Sequence, residues 1–391
     1  MKFDIIIIGN GMVGAPLACA LSQGPWQIAL VDAKEHKEDA RLIALNEGSS
    51  CLFKNLGMWP ALAPHATPME QIHISHRGHF GITRIQAKEF GLNNLGHVVP
   101  ATHINAALFS ALRDIKNVTL LCPAMLKTIA QEADTVTLSL DTAQGTKEYT
   151  ADIVIGADGS HSTVRELVGI PTQKIDYQQS ALVTITELAR HHQNIAYERF
   201  QEEGAIAMLP LTAARAATIW TASNTFITQL MQLNDAEFLH QLQQYFGYRL
   251  GRLKSIGKRA IYPLYKQKAQ EQKKQNVVLI GNAAHTLHPI AAQGLNVALR
   301  EVAVLVEYLL AQQSLKGCLQ NLPLNQLQQN FSESLSHGLT ALFSKDIFAV
   351  ARQTGMLILD QCLPLKKRFA HHAMGKSGWV PRLFLQEPLA K

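Results

Sequence analysis

The apolar positions of the chain form two patterns. Four short runs are apolar throughout, as in strands buried on both faces of a parallel sheet: Ile5–Ile8, Ile28–Val31, Ile153–Ile155 and Val277–Ile280. Residues 174–262 instead hold four β runs separated by turns, SALVTITEL, IAYERF, GAIAMLPL and RAATIWT. These runs favour an antiparallel sheet that carries one wall of a substrate site. The patterns together predict an α/β protein with a mainly antiparallel sheet domain inserted into a parallel one.

Helical periodicity occurs between these strands and after them. Apolar stripes predict helices that begin near Met12, span Ile104–Ile115 and Asp235–Phe246, and continue from Leu295. From Phe331 onward the chain is helical and then basic. We predict a nucleotide-binding domain from 1–68, 98–173 and 276–330, a substrate domain from 69–97 and 174–275, and a helical C-terminal region over 331–391.

The first apolar run leads into a glycine motif. Gly9, Gly11 and Gly14 form G-x-G-x-x-G, and the next strand ends in Asp32. The first glycine allows a tight turn, the second a close approach of the backbone to a pyrophosphate, and the third close packing of helix on strand. An acid at Asp32 suits ribose hydroxyls. The order predicts an adenine dinucleotide site without separating FAD from NAD; the alternative is that the glycines serve packing only.

Two residues near these strands have open roles. Arg41 follows the ribose acid along the chain and is either a cofactor contact or a solvated loop residue. Asp158 lies in GADGSHSTVR, where a strand meets a helix that begins near Ser162. It is therefore either a helix N-cap or a cofactor ligand.

A third segment, Asn276–Leu310, has glycines on both sides of a proline-containing turn. Such glycines are costly in a simple connection, and they suit backbone amides that approach a flat ring system. His285 and His288 in the same segment are acid–base or metal candidates. Because no carboxylate partner is evident in the sequence, we favour polar packing near the cofactor for both.

Met69–Gln86 alternates and turns at Arg77-Gly78, which predicts a hairpin that belongs to the second sheet. It contains His73, His76 and His79. Alternation places His73 and His76 on opposite faces, so we do not favour a metal site there.

Composition narrows the class of protein. The 391 residues suit about two domains, and the formal net charge is +6. Five scattered cysteines without C-x-x-C argue for a reducing compartment and against structural zinc. We expect neither a transmembrane helix nor a signal peptide. The basic clusters favour an anionic membrane surface over nucleic acid. The C-terminal region is either a lid or membrane-surface patch, or a helix docked on the sheet; we favour docking.

The segments GNGMVG, GADGSHSTVR and GNAAHTLHPIAAQGLN stand in an order that resembles FAD-dependent monooxygenases of the para-hydroxybenzoate hydroxylase type. The resemblance covers nearly the whole chain and implies a Rossmann-like FAD-binding domain. Within that group the chain resembles the ubiquinone-biosynthesis hydroxylases. The segments HISHRGHFG, AYERF, GAIAMLPL, GYRLG and GKRAIYPL are most similar to the 2-polyprenyl-6-methoxyphenol hydroxylase branch.

The resemblance implies a role for each motif position. The glycine motif would hold the FAD pyrophosphate, Asp32 the adenosine ribose, and Asp158-Gly159 both FAD and the nicotinamide coenzyme. Gly281-Asn282 would contact the ribityl and phosphate region, and Pro289 and Gly294–Asn296 the isoalloxazine. The full candidate set for cofactor binding is Gly9, Gly11, Met12, Gly14, Asp32, Arg41, Asp158, Gly159, Gly281, Asn282, Pro289, Gln293, Gly294, Leu295 and Asn296.

Two positions depart from the pattern of the family. Asn282 replaces the commoner aspartate, which puts any role that needs a carboxylate in doubt. Pro16 lies in the first helix, where it is tolerated only if the helix starts near Met12.

The implied reaction is hydroxylation of a polyprenylated phenol by O2 through a flavin hydroperoxide, with NAD(P)H or another reductant as electron donor. The residues near the ring, His285, His288 and Pro289, are the catalytic candidates, and the base that would ionise the phenol is not identified. Partners left open are other ubiquinone-biosynthesis proteins and a second copy of the chain. The expected location is the cytoplasm, with contact at the inner face of the cytoplasmic membrane.

Four alternatives remain. The first is an FAD monooxygenase that acts on another aromatic substrate. The second is a flavin-dependent halogenase, which needs a lysine and a paired-tryptophan motif near the flavin. It is disfavoured because the four tryptophans are isolated from one another: Trp26, Trp59, Trp220 and Trp379. A non-catalytic FAD-fold protein that binds a prenyl group or a partner would consume no NADPH. An NAD-linked dehydrogenase would purify without the yellow colour of FAD.

Overall fold

The computed structural model describes residues 1–34, 39–202, 204–287, 293–322 and 349–385. The strands are β1 (Lys2–Ile8), β2 (Ile28–Val31), β3 (Leu42–Asn46), β4 (Thr67–Met69), β5 (Gln71–His76), β6 (Ile82–Gln86), β7 (Gly96–Pro100), β8 (Val118–Leu121), β9 (Ala124–Gln131), β10 (Val136–Thr142), β11 (Gly145–Gly156), β12 (Thr172–Leu188), β13 (Ile195–Gln201), β14 (Gly204–Leu211), β15 (Arg215–Ser223), β16 (Leu253–Ile256), β17 (Ala260–Ala269), β18 (Lys273–Lys274), β19 (Val277–Leu279) and β20 (His285–Thr286). The helices are α1 (Gly14–Leu21), α2 (Glu47–Asn55), α3 (Trp59–Leu62), α4 (Ala101–Arg113), α5 (Thr163–Leu167), α6 (Asn224–Gln232), α7 (Asp235–Phe246), α8 (Gln293–Leu310), α9 (Ala349–Gln361) and α10 (Leu363–Ala373).

The first sheet has eight strands and carries the four apolar runs. Its main path is β18-β19-β11-β1-β2-β8, in which β19, β11, β1, β2 and β8 run parallel to one another. The β1 side chains alternate between two cores: Ile5 and Ile7 pack with α1, α4 and α8, whereas Ile6 and Ile8 pack with β9, β10 and α5. Both faces are therefore covered, which explains why these strands are apolar throughout.

The second sheet has nine strands in the order β20-β17-β12-β15-β14-β13-β5-β6, with β16 paired to β12. Neighbours are antiparallel except β5 and β13, which are parallel. The predicted hairpin is thus β5–β6, and the four β runs lie in β12 to β15. One face of this sheet packs on α6 and α7 around the buried Trp220.

A small third sheet, β3-β7-β4, lies against the opposite face of the second sheet. Leu42 and Ala44 of β3 pack there with Leu209 and Ile219 of the second sheet. The structure therefore combines a sheet of mainly parallel strands, a mainly antiparallel sheet and a helical C-terminus, as predicted. The domain boundaries given above stay a proposal.

The C-terminal helices dock on the hairpin, as the preferred alternative stated. Thr83 Oγ1 donates to the Met356 carbonyl at 2.9 Å, and the Arg84 N–H donates to Asp360 Oδ1 at 2.7 Å. The Lys366 ammonium lies 3.0 Å from Glu89 Oε1. Among the described helices, none is both long enough and apolar enough to span a bilayer.

Candidate active site

The predicted cofactor motifs meet at one edge of the first sheet. Parallel pairing aligns the carboxyl ends of β1, β2, β11 and β19. Hydrogen bonds continue past the strand ends: the Gly9 N–H donates to the Val31 carbonyl at 2.7 Å, and the Ala157 N–H donates to the Ile8 carbonyl at 2.8 Å. Such an edge is where parallel α/β sheets bind their ligands.

The three motif glycines have different geometries. Gly9 has φ +108°, which a side chain would strain. A Cβ on Gly14 would overlap the Gly9 carbonyl oxygen, so the helix can pack this closely only without one. No described atom lies within 4 Å of a Cβ built on Gly11. The turn at Gly9 and the packing at Gly14 are therefore internal to the fold, whereas Gly11 faces open space where a pyrophosphate would lie. Pro16 lies in the first turn of α1, where a proline is tolerated.

Asp32 connects the first two strand ends. Its Oδ2 accepts the Asn10 N–H at 2.8 Å, and its Oδ1 accepts the Lys34 N–H at 3.1 Å. The carboxylate is only partly buried. A carboxylate oxygen can accept two hydrogen bonds, so each Asp32 oxygen retains the capacity to accept one from a ribose hydroxyl.

Asp158 is not the N-cap of α5, so that alternative is wrong. The cap is Ser162, whose Oγ accepts the Arg165 N–H at 3.0 Å. Asp158 Oδ2 accepts the Val164 N–H at 3.1 Å, and within the described ranges its buried Oδ1 has no hydrogen-bond partner. Gly159, with φ +85°, leaves open space beside it. A buried acceptor without a partner is costly unless a ligand donates to it.

Arg165 joins two of the motif loops, and the sequence analysis did not single it out. Its guanidinium is buried and donates to the Ala283 carbonyl at 2.8 Å and to the Ser160 carbonyl at 2.9 Å. The loops after β11 and β19 are therefore held together by one side chain. The signal in the sequence that could have found this role was the basic Arg165 directly after the apolar Val164, at the start of a helix.

His285 has a carboxylate partner, so the premise that none exists was wrong. Its Nε2 lies 2.7 Å from Glu301 Oε1, and both side chains are buried. Glu301 Oε2 accepts the Gly281 N–H at 2.8 Å, and Gln272 Nε2 donates to Oε1 at 3.2 Å. Glu301, on helix α8, thus fixes the Gly281 loop and the His285 ring. His285 is thus packed among polar groups, as we favoured, and its position beside the cofactor stays a prediction.

The first turn of α8 contains Gln293 to Asn296. The Asn296 side chain serves the fold: its Oδ1 accepts the Asn46 N–H at 2.9 Å, and its Nδ2 donates to the Ala44 carbonyl at 2.9 Å. No described atom lies within 4 Å of a Cβ built on Gly294. The N–H groups of a first helical turn lack intrahelical partners and favour an anion, which suits the pyrimidine edge of a reduced flavin.

The remaining candidates are placed as follows. Arg41 is exposed and forms an ion pair with Asp39 at 2.6 Å, which fits the solvated alternative. Asn282 is exposed and Met12 is buried in the first core. His288 and Pro289 lie outside the described residues.

His73 and His76 separate as alternation predicted, whereas the His79 ring lies 4.4 Å from the His76 ring. The His73 ring lies 5.3 Å from that of Tyr197, on the face covered by α7, and His76 lies on the other face. The described ranges contain no group of three or more His, Cys, Asp or Glu side chains placed to hold a metal.

An FAD molecule fits these observations. Gly11 leaves room for the pyrophosphate, Asp158 Oδ1 is an acceptor without a partner among the described residues, and the first turn of α8 lies beside the open side of Gly294. The fold and this edge define an FAD-dependent monooxygenase.

Comparison with known proteins agrees. The profile of the FAD binding domain family matches residues 2–317, and the chain belongs to that family. Ubiquinone hydroxylase UbiL of Rhodospirillum rubrum is 32% identical, with 99% of this chain and 93% of the relative covered. The 3-demethoxyubiquinol 3-hydroxylase of Escherichia coli is 28% identical, with 95% and 98% covered. The solved structure of p-nitrophenol 4-monooxygenase PnpA from Pseudomonas putida shares the fold, with a TM-score of 0.76, 15% identity, and 96% of this chain and 100% of that chain covered.

Proposed function

We propose that the protein hydroxylates the ring of a polyprenylated phenol in ubiquinone biosynthesis, converting 2-polyprenyl-6-methoxyphenol to the corresponding benzoquinol. The observation that carries this proposal is an apolar wall on the second sheet. Val183, Ile219 and Ala207 are in register on three neighbouring strands, Ile74 continues the row on β5 beyond β13, and all four are partly exposed. Such a wall suits a hydrophobic aromatic substrate. The ubiquinone-pathway names of the relatives support the same substrate class.

The wall faces the predicted flavin site. Ile219 packs with Ala44 of β3, whose carbonyl accepts a hydrogen bond from Asn296 in the first turn of α8. A ring held between this wall and α8 would lie beside the isoalloxazine. Bound FAD would supply the oxygen activation, with NAD(P)H as the proposed electron donor. The residues of the chain hold the cofactor, position the ring and exclude water.

A second candidate is hydroxylation at another ring position. The E. coli relative is named as a 3-demethoxyubiquinol 3-hydroxylase, and this chain covers 98% of it. The apolar wall suits both substrates equally, so the ring position must be measured.

Because the proposed substrate has a polyprenyl tail, the proposal includes contact of the protein with a membrane. On α10, Leu363 and Leu365 are exposed beside the exposed Lys367 and Arg368. Apolar side chains next to cations suit the surface of an anionic bilayer. We expect Leu365→Ser to reduce flotation with vesicles of anionic phospholipid. Leu120→Ser, at an exposed leucine of β8, should leave flotation unchanged; equal flotation of both variants and the wild type would contradict the contact.

Quinone intermediates test the proposal directly. Cells that lack the native gene are complemented with this one, extracted, and analysed by mass spectrometry. Accumulation of 2-polyprenyl-6-methoxyphenol that clears on complementation supports the proposal. Accumulation of demethoxyubiquinol instead moves the reaction to the other ring position. If no quinone intermediate changes, the pathway assignment is wrong.

A further inference from the structure

One carboxyl interrupts the apolar wall. Glu198 of β13 is in register with Ile74 of β5 and Ala207 of β14, and Ala207 is in register with Ile219 of β15. In-register residues of neighbouring strands project from the same face of a sheet. Glu198 is therefore the single acid in a row of apolar side chains that crosses the sheet.

Residues on either side of Glu198 show which way this face points. Ala196 and Phe200 share the face, because side chains alternate along a strand. Ala196 packs with Leu42 and Ala44 of β3, and Phe200 packs with Met356 of α9. Tyr197, on the opposite face, lies against Phe246 of α7 with ring centroids 5.8 Å apart. Glu198 thus projects from the face that packs on β3 and α9, between the apolar cluster around Ala196 and the one around Phe200.

Among the described side chains that pack around Glu198, none brings a compensating charge. In the part of the chain that the structure describes, its carboxyl forms no hydrogen bond or ion pair. The elements packed on this face present apolar side chains from β14, β3 and α9. The described titratable group that lies closest in register to Glu198 on this face is His76, which is in register with Phe200. The Nδ1–H of His76 donates to the Arg77 carbonyl at 2.9 Å.

Burial raises the pKa of Glu198 to about 7 from an ordinary 4.5, although the side chain stays partly accessible. A carboxyl that is accessible and yet poorly hydrated suits a confined cavity rather than open water. A phenol ionises near pH ~10. The raised pKa narrows the gap between base and phenol from about 5.5 units to about 3, which improves proton transfer near neutral pH.

We propose that Glu198 is the base that accepts the phenolic proton of the substrate. The phenol O–H bond breaks, the proton passes to a carboxylate oxygen of Glu198, and the electron pair stays on the ring oxygen. The resulting phenolate is a more electron-rich ring for attack on activated oxygen, and the proton leaves Glu198 for water before the next turnover. This inference rests on the proposed function, since it requires a phenol as substrate.

The test uses the FAD-loaded full chain and 2-methoxyphenol as the probe. Absorbance reports ionisation of the bound probe between pH 6 and 9 without turnover. We expect the wild type to ionise the bound probe below the pH at which free probe ionises, and Glu198→Gln to lose this effect. Glu198→Asp, which keeps a carboxyl, should recover part of it. The control is Glu202→Gln, which removes an exposed carboxyl just beyond β13 and should behave as wild type.

Turnover supplies the second readout. With the prenylated phenol, Glu198→Gln should lower kcat by about 10²- to 10⁴-fold and remove the rise of kcat/KM through about pH 7, with unchanged FAD content. Probe ionisation that is absent in the wild type, or unchanged in Glu198→Gln, overturns the assignment of Glu198. If the wild type ionises the probe in a Glu198-dependent way but hydroxylates no prenylated phenol, the proposed function is wrong and Glu198 remains a phenol base.

Discussion

The buried carboxylate of Glu301 gives the sharpest prediction for stability. It accepts from the Gly281 N–H at 2.8 Å, lies 2.7 Å from His285 Nε2, and accepts from Gln272 Nε2 at 3.2 Å. Glu301→Leu puts an apolar side chain of similar size at this position and removes both acceptor oxygens. Hydrogen bonds to a charged group contribute about 1.5–3 kcal/mol each, and their loss is not additive. A buried donor left without an acceptor costs about 1–3 kcal/mol, and the substitution leaves up to three such donors, so we expect a loss of about 3–5 kcal/mol in the free energy of unfolding.

The assay is urea unfolding of the FAD-free protein, with FAD affinity measured in parallel. Glu307→Leu is the matched control, because Glu307 lies on the same helix and is partly exposed, with Arg382 Nε 3.8 Å away. A partly exposed pair contributes about 1 kcal/mol or less. We also expect weaker FAD binding in Glu301→Leu, because the Gly281 loop loses its anchor. Equal losses in both variants, or a loss below about 1 kcal/mol in Glu301→Leu, would refute the argument.

Three further predictions follow from single residues. Gly11→Trp should abolish FAD binding by filling the open space beside the motif, whereas Gly355→Trp, at another open glycine, should retain stoichiometric FAD; retained FAD in both variants contradicts the placement of the pyrophosphate. Burial lowers the pKa of His97 to about 4 from 6.5, so the unfolded chain binds an extra proton in that window. The free energy of unfolding should therefore fall by up to about 3 kcal/mol from pH 6.5 to pH 4, and it should fall less in His97→Gln. If urea unfolding gives the same pH dependence for the wild type and His97→Gln, His97 is not held neutral by the fold. The raised pKa of Glu198 has the opposite sign: the folded chain holds the extra proton between pH 4.5 and about 7, so stability falls as pH rises through this window, and Glu198→Gln should flatten that change.

The sequence predicted the elements whose signals are local. The glycine motif, the four apolar runs and helix α7 each depend on residues close together in the chain, and the structure has them within a few residues of the predicted bounds. The family also followed from the order of three short motifs, because each is a strand with its following turn.

The contacts that complete the site are not local, and the sequence did not reveal them. Glu301 meets Gly281 from 20 residues away, and Arg165 reaches the Ala283 carbonyl from 118 residues away. The position of Glu198 depends on the parallel register of β13 with β5, strands from distant parts of the chain. Hydrophobic periodicity assigns a residue to a face but does not say what that face meets.

The most direct test of the account is the source of the oxygen atom in the product. Purified protein is given FAD, NADPH, ¹⁸O2 and a short-chain 2-prenyl-6-methoxyphenol, and the product is analysed by mass spectrometry. The account predicts a hydroxylated ring that carries one ¹⁸O atom. NADPH consumption that yields only hydrogen peroxide, with the phenol recovered unchanged, would contradict it.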